Sequence, residues 1–171
     1  ALAPRPDKVK LVYHGLDFSR FPTPLRRDGP GDPFTIVSVG RAVEKKGYSD
    51  LLKALAALPE GRRWRFEHIG GGPLAKRLRD EAARLGIADR VVWHGSGRRD
   101  RVFALLERAD LFVLPSRLTR SGDRDGIPNV LMEAQAFGVP VVASDVSGIP
   151  ELVTHARTGW LVPEKAPKRL A

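Results

Sequence analysis

From Phe34 onward the chain alternates two hydrophobic patterns. Phe34-Thr35-Ile36-Val37-Ser38-Val39 is a short, mostly apolar and β-branched run, as expected of a strand buried on both faces. Residues 48–58 then place Leu51, Leu52, Leu55 and Leu58 at helical spacing, which predicts a helix with one apolar face. The alternation continues with a strand over 65–69, a helix over 74–85 stopped by Gly86, and a strand over 91–93. A helix over 102–109 carries Phe103, Leu105 and Leu106, and a strand over 111–114 follows. Then come a helix over 128–137, a strand over 139–143, a short helix or turn over 149–153 and a last strand over 160–162.

Residues 1–33 lack this regularity. Leu11-Val12-Tyr13 reads as a short strand, His14-Gly15-Leu16-Asp17 as a turn, and Pro22, Pro24, Pro30 and Pro33 with Gly29 and Gly31 as a linker. The expected organisation is an interdomain strand and Pro/Gly-rich linker over 1–33, then one domain over 34–171. Strands alternating with helices imply a parallel sheet covered on both faces, and right-handed crossovers make it an α/β doubly wound, Rossmann-like fold. Such sheets bind ligands beyond the carboxyl ends of their strands.

The stretch Asp123-Arg124-Asp125-Gly126-Ile127-Pro128-Asn129-Val130-Leu131-Met132-Glu133-Ala134 stands at one of those ends. Pro128 suits the first position of a helix, and Gly138 and Pro140 stop it. The unpaired N–H groups and positive dipole end of that helix form an anion site. Asp125 precedes the tip and Glu133 lies about one and a half turns inside. Two carboxylates beside an anion site suit a ligand with both phosphates and hydroxyl groups, such as a nucleotide sugar. Gly40-Arg41 and Lys46-Gly47 follow the first strand and supply cations, a planar fork and a point charge.

These residues resemble a known family. Asp125, then Gly126-Ile127-Pro128-Asn129-Val130-Leu131-Met132, then Glu133-Ala134 is similar to the acid-x7-acid signature of retaining family 4 glycosyltransferases, and Gly40-Arg41-x4-Lys46-Gly47 to their cationic element. The resemblance identifies the chain with the C-terminal, nucleotide-sugar-binding half of a GT-B fold. It implies that Arg41 and Lys46 steady the diphosphate, that Asp125 holds the donor sugar, and that Glu133 holds the ribose. Gly40, Gly126, Ile127, Pro128, Asn129 and Val130 complete the donor site, and Gly95 and Ser96 lie by the base. The first acid is usually Glu, one methylene longer than Asp125. Transfer with retention and without a metal is implied, as are an acceptor-binding domain before residue 1 and further helices after residue 171. No cofactor beyond the nucleotide sugar is expected.

Other features read as structural. Gly70-Gly71-Gly72-Pro73 lacks the closing Lys-Ser or Lys-Thr of a Walker loop and reads as a tight turn. His14 stands where the family has Asn and reads as a turn residue, and Glu151 as a first-turn helix acid. Asp123-Arg124-Asp125 offers too few oxygens for a hard cation.

The 29 Lys and Arg against 20 Asp and Glu give a net charge of +9, which favours anionic partners. The basic residues are scattered rather than interleaved with aromatics, which argues against nucleic acid. A basic module that binds nucleotide or nucleic acid without catalysis, and a GT-B nucleotide-sugar epimerase, are the competing readings. There is no Cys and no apolar run long enough to span a bilayer. The expected location is cytoplasmic, peripheral to a membrane if the acceptor lies at its surface.

Overall fold

The computed structural model describes residue 8, residues 10–21 and residues 29–171. The reading of Pro22 and Pro24 as linker lies outside them. Six strands, β1 (Phe34–Val39), β2 (Trp64–Ile69), β3 (Val91–Trp93), β4 (Leu111–Leu114), β5 (Val141–Ser144) and β6 (Trp160–Val162), form one sheet in the order β3-β2-β1-β4-β5-β6. All pairings are parallel: Phe34 to Val39 of β1 match Trp64 to Ile69 of β2, and Ile36 matches Leu111 of β4. The helices are α1 (Tyr48–Ala56), α2 (Ala75–Arg84), α3 (Arg99–Glu107), α4 (Asn129–Ala136), α5 (Ile149–Leu152) and α6 (Pro167–Leu170).

Alternate strand residues face opposite ways, so the sheet feeds two cores. On one face Ile36, Phe66 and Val113 meet Leu51, Leu52 and Leu55 of α1 and Leu78 of α2. On the other Val37, Phe112 and Val141 meet Leu105 and Leu106 of α3, Leu131 and Ala134 of α4, and Ile149 of α5. The chain winds from β1 outward to β3 with α1 and α2 on the first face. It returns through α3 to β4 and winds the other way with α4 and α5 on the second. The strand order therefore reverses between β1 and β4, and the loops leaving these two strands part to open a crevice.

Several boundaries shift by one to three residues from the periodic reading, and three of the shifts have a plain physical reason. Helix α3 starts at Arg99 rather than near 102, because its first turn, Arg99-Asp100-Arg101, is polar and shows no period. Strand β5 starts at Val141: Pro140 has no N–H to give, though its carbonyl accepts from Phe112 at 2.9 Å. Pro128 caps α4 from outside, with φ −71° and ψ 124°, instead of occupying its first turn. The strand expected at Leu11-Val12-Tyr13 does not form. Residues 11–13 pair with no strand among the described residues, and Leu11 and Val12 are 75% and 83% exposed. An isolated extended segment has no ladder to satisfy its backbone groups.

Candidate functional site

The loop leaving β1 is built around two glycines. Gly47 ends a 3-10 turn over Glu44–Lys46 in the left-handed region (φ 65°), and a Cβ there would overlap the Pro115 carbonyl oxygen. Only Gly meets both demands. This contact presses the β1 loop against the exit of β4 and holds Lys46 over the switch point. Gly70, after β2, lies so close to the Gly40 carbonyl that a Cβ would overlap its oxygen. The triple-Gly turn thus serves close backbone approach, as the sequence indicates.

The exit of β4 supplies the counter-charge. Lys46 Nζ lies 2.8 Å from Asp125 Oδ2, and Ser116 Oγ donates to the same oxygen at 2.8 Å. Lys45 Nζ lies 2.9 Å from Asp123 Oδ1 and 3.9 Å from Asp125 Oδ1. Lys46 and Asp125 are 13% and 11% exposed, so their charges interact with little screening. Hydrogen bonding and charge from Asp123 hold the Lys45 ammonium above its usual range. Arg41 is exposed and makes no ion pair among the described residues. Lys45 and Lys46 are matched by Asp123 and Asp125, which leaves the Arg41 guanidinium as a cation of the crevice lining that no carboxylate offsets among the described residues.

A crevice of about 490 Å³ opens between these loops. It is lined by Gly40, Arg41, Lys45, Lys46, Asp123, Asp125, Gly126, Ile127, Pro128, Asn129 and Val130, together with Val39 and Val43. Its floor includes the start of α4, which no side chain caps. The Leu131 N–H donates back to the Pro128 carbonyl at 3.0 Å, which leaves the N–H groups of Asn129 and Val130 without an intrahelical acceptor. The structure thus brings together every residue read as part of the diphosphate and sugar end. Two carboxylates of the Asp123-Arg124-Asp125 triplet face ammonium groups, and among the described residues no cluster of three or more metal-ligating side chains forms.

Glu133, Gly95 and Ser96 do not line this crevice. Glu133 is one turn further along α4 than Val130 and on the same face, directed toward α3. Its carboxylate lies 3.9 Å from Arg99, and burial pushes it above the usual carboxylate range while Arg99 opposes the shift. Gly95 and Ser96 reach the site through the backbone of the β2 loop. The Gly70 N–H donates to the Gly95 carbonyl at 2.8 Å, and Gly71 lies against the Ser96 hydroxyl.

The supporting shell holds two buried polar groups in β2. His68 is 1% exposed; its Nε2 donates to the Gly40 carbonyl at 3.0 Å, and Tyr48 packs edge-on at 4.5 Å. Burial pushes its imidazole down to about 4, which keeps it neutral. Glu67, on the opposite face, accepts hydrogen bonds from His94 at 2.6 Å and Arg108 at 2.7 Å. Burial works against that carboxylate, but these partners outweigh it and hold it below its usual range.

The sequence reading missed Lys45, Ser116, Asp123 and Arg99. Lys45 and Lys46 are adjacent, and spacing alone does not say that both face the crevice. His14 is at the lip, its Nε2 2.5 Å from Asn129 Oδ1, and lines a neighbouring cavity of about 630 Å³ with Asp125 and Gly126. Glu151 accepts from the Tyr13 hydroxyl at 2.6 Å, which ties the leading segment to α5.

Known proteins share the sequence pattern and the fold. The family described as Glycosyl transferases group 1 matches residues 26–171. The putative colanic acid biosynthesis glycosyltransferase WcaL of Escherichia coli K12 is 41% identical over 167 residues, 96% of this chain and 41% of the relative. The chain therefore spans about two fifths of that relative's length. Anabaena Alr3699/HepE, solved in complex with UDP-glucose, superposes with a TM-score of 0.79 at 25% identity, over 98% of this chain and 47% of that one. The C-terminal domain of the group 1 protein LpcC from Francisella tularensis gives 0.76 at 21% identity, over 92% and 84%. This chain belongs to the group 1, family 4 glycosyltransferases and corresponds to the C-terminal half of their GT-B fold.

Proposed function

We propose that the chain is the donor half of a longer retaining glycosyltransferase and holds a nucleotide-diphosphate sugar in the crevice between the β1 and β4 loops. The observation that carries this reading is the convergence of Arg41, Lys46 and Asp125 on one cavity at the switch point. Arg41 and Lys46 engage the diphosphate, helped by the unpaired N–H groups at the start of α4. Asp125 accepts from sugar hydroxyls, and Glu133 from the ribose. When the glycosidic bond breaks, charge grows on the leaving phosphate. A cation that binds the fuller charge more tightly lowers the barrier. No metal is needed in this scheme.

Before donor arrives, Lys46 is held by Asp125. The incoming diphosphate takes over part of that ammonium, and the freed carboxylate lone pairs turn to the sugar. The acceptor comes from the remainder of the parent enzyme, and the basic surface favours an acceptor displayed at an anionic membrane face. UDP-glucose is the first donor to try, because HepE is solved with it.

Calorimetric titration with UDP, UDP-glucose and short duplex DNA in parallel tests the reading. It predicts saturable binding of both nucleotides and loss of that signal in Arg41→Ala. DNA binding alone, with no nucleotide signal, supports the competing reading of a basic nucleic-acid module.

A further inference from the structure

The nucleoside end carries a feature outside the family signature. Arg99 opens α3, and its guanidinium lies over two rings, 4.9 Å from the Phe103 centroid and 5.5 Å from that of Phe21. Those rings and Phe137 form a closed cluster with centroids 5.0 to 5.8 Å apart. The three phenylalanines come from the leading segment, α3 and the end of α4, so three separate stretches fix the platform. A guanidinium stacked on aromatic faces loses much of its rotational freedom. It is thereby aimed at Glu133, whose carboxylate is 14% exposed and 3.9 Å away.

That distance matters. It is near enough for charge attraction and too long for a hydrogen bond. Among the described residues Glu133 accepts no hydrogen bond, so its lone pairs stay open while Arg99 favours its ionised form. A carboxylate with open lone pairs beside a fixed cation suits two neighbouring hydroxyl groups.

We propose that Arg99 is a positioning residue for the nucleoside end of the donor. Stacked on Phe21 and Phe103, it holds its charge beside Glu133 and orients that carboxylate for the ribose diol, and so sets the preference for ribo- over 2′-deoxyribonucleoside diphosphates. This rests on the reading of Glu133 as the ribose ligand.

The test is calorimetry of the chain with UDP, 2′-deoxy-UDP and inorganic pyrophosphate, for the unmodified chain, Arg99→Met, Glu133→Gln and the double variant. The unmodified chain should favour UDP over 2′-deoxy-UDP about tenfold, the scale of one hydrogen bond to a charged group. Arg99→Met should collapse that ratio toward one, leave pyrophosphate binding unchanged, and add nothing in the Glu133→Gln background. Arg99→Lys, which keeps the charge and loses the planar stack, should fall between. An unchanged ribo-to-deoxy ratio in Arg99→Met overturns the proposal, as does an equal loss for all three ligands, which would mark Arg99 as a general cation. Absence of UDP binding by the unmodified chain overturns the functional reading itself, a distinct result.

Discussion

Lys46 and Asp125 meet at 2.8 Å across the switch point of the sheet. One belongs to the loop after β1 and the other to the loop after β4, 79 residues later in the chain. Their pairing aligns the two halves of the crevice before any ligand arrives. It also means that two residues read as donor-site residues carry part of the fold's stability.

Removing one partner should show that contribution. Lys46→Met leaves the largely buried Asp125 with the Ser116 hydroxyl and the more distant Lys45. The expected cost is about 1–3 kcal/mol in urea unfolding, the scale of an undercompensated buried polar group. Lys46→Met with Asp125→Asn should recover at least half of it. If the single substitution costs nothing, the pair does not brace the crevice.

Asp125 also permits a test on the sugar. If it accepts from donor hydroxyls, Asp125→Ala should remove the affinity that UDP-glucose has beyond UDP. UDP itself should change by less than about threefold, well under one charge-assisted bond. A parallel loss for both ligands would assign Asp125 to arranging the lysines only.

Two glycine substitutions separate backbone strain from crowding. Gly47→Ala must take a left-handed conformation and also displace Pro115, so it should cost about 2–5 kcal/mol. Gly122 has φ 84° with open space around it, and Gly122→Ala should cost about 1 kcal/mol. Thermal or urea unfolding compares them. Equal costs would mean that Gly47 is not the wedge between the β1 and β4 loops.

His68 predicts an acid-side loss of stability. The unfolded chain takes up a proton on this imidazole near 6.5, the ordinary value, whereas the folded chain resists until about 4. Between those values the unfolded state binds more protons, so stability falls as pH drops from about 6.5 to about 4. The loss reaches up to about 3 kcal/mol. Glu67 acts lower: its depressed carboxyl contributes stability that is complete above the ordinary carboxylate value and lost below it. Glu133, raised by burial, contributes with the opposite sign at the acid end, so the His68 part is read by difference: His68→Gln should remove the loss of stability between pH 7 and 5 that the unmodified chain shows. A slope unchanged by that substitution would remove His68 as its source.

Much of this was legible in the chain because the sheet is buried on both faces. Uninterrupted apolar runs such as Phe34–Val39 mark the strands, and the apolar spacing of Leu51, Leu52 and Leu55 marks the helix between them. The crevice followed because it uses loops at strand ends, where polar residues interrupt an otherwise apolar pattern. Two kinds of feature were hidden. The polar start of α3 carries no period, so Arg99 looked like loop. Contacts between distant loops, Ser116 with Asp125 or Lys45 with Asp123, depend on register that no local pattern encodes. Leu11-Val12-Tyr13 shows the reverse: a strand-like composition that pairs with no strand among the described residues.

The most direct test is a crystal structure of the chain soaked with UDP. The account predicts the diphosphate between Arg41, Lys46 and the start of α4, with the ribose directed to Glu133. A diphosphate lodged instead in the basic cavity beside α1 and α2, against Lys53, Arg77 and Arg117, would contradict it.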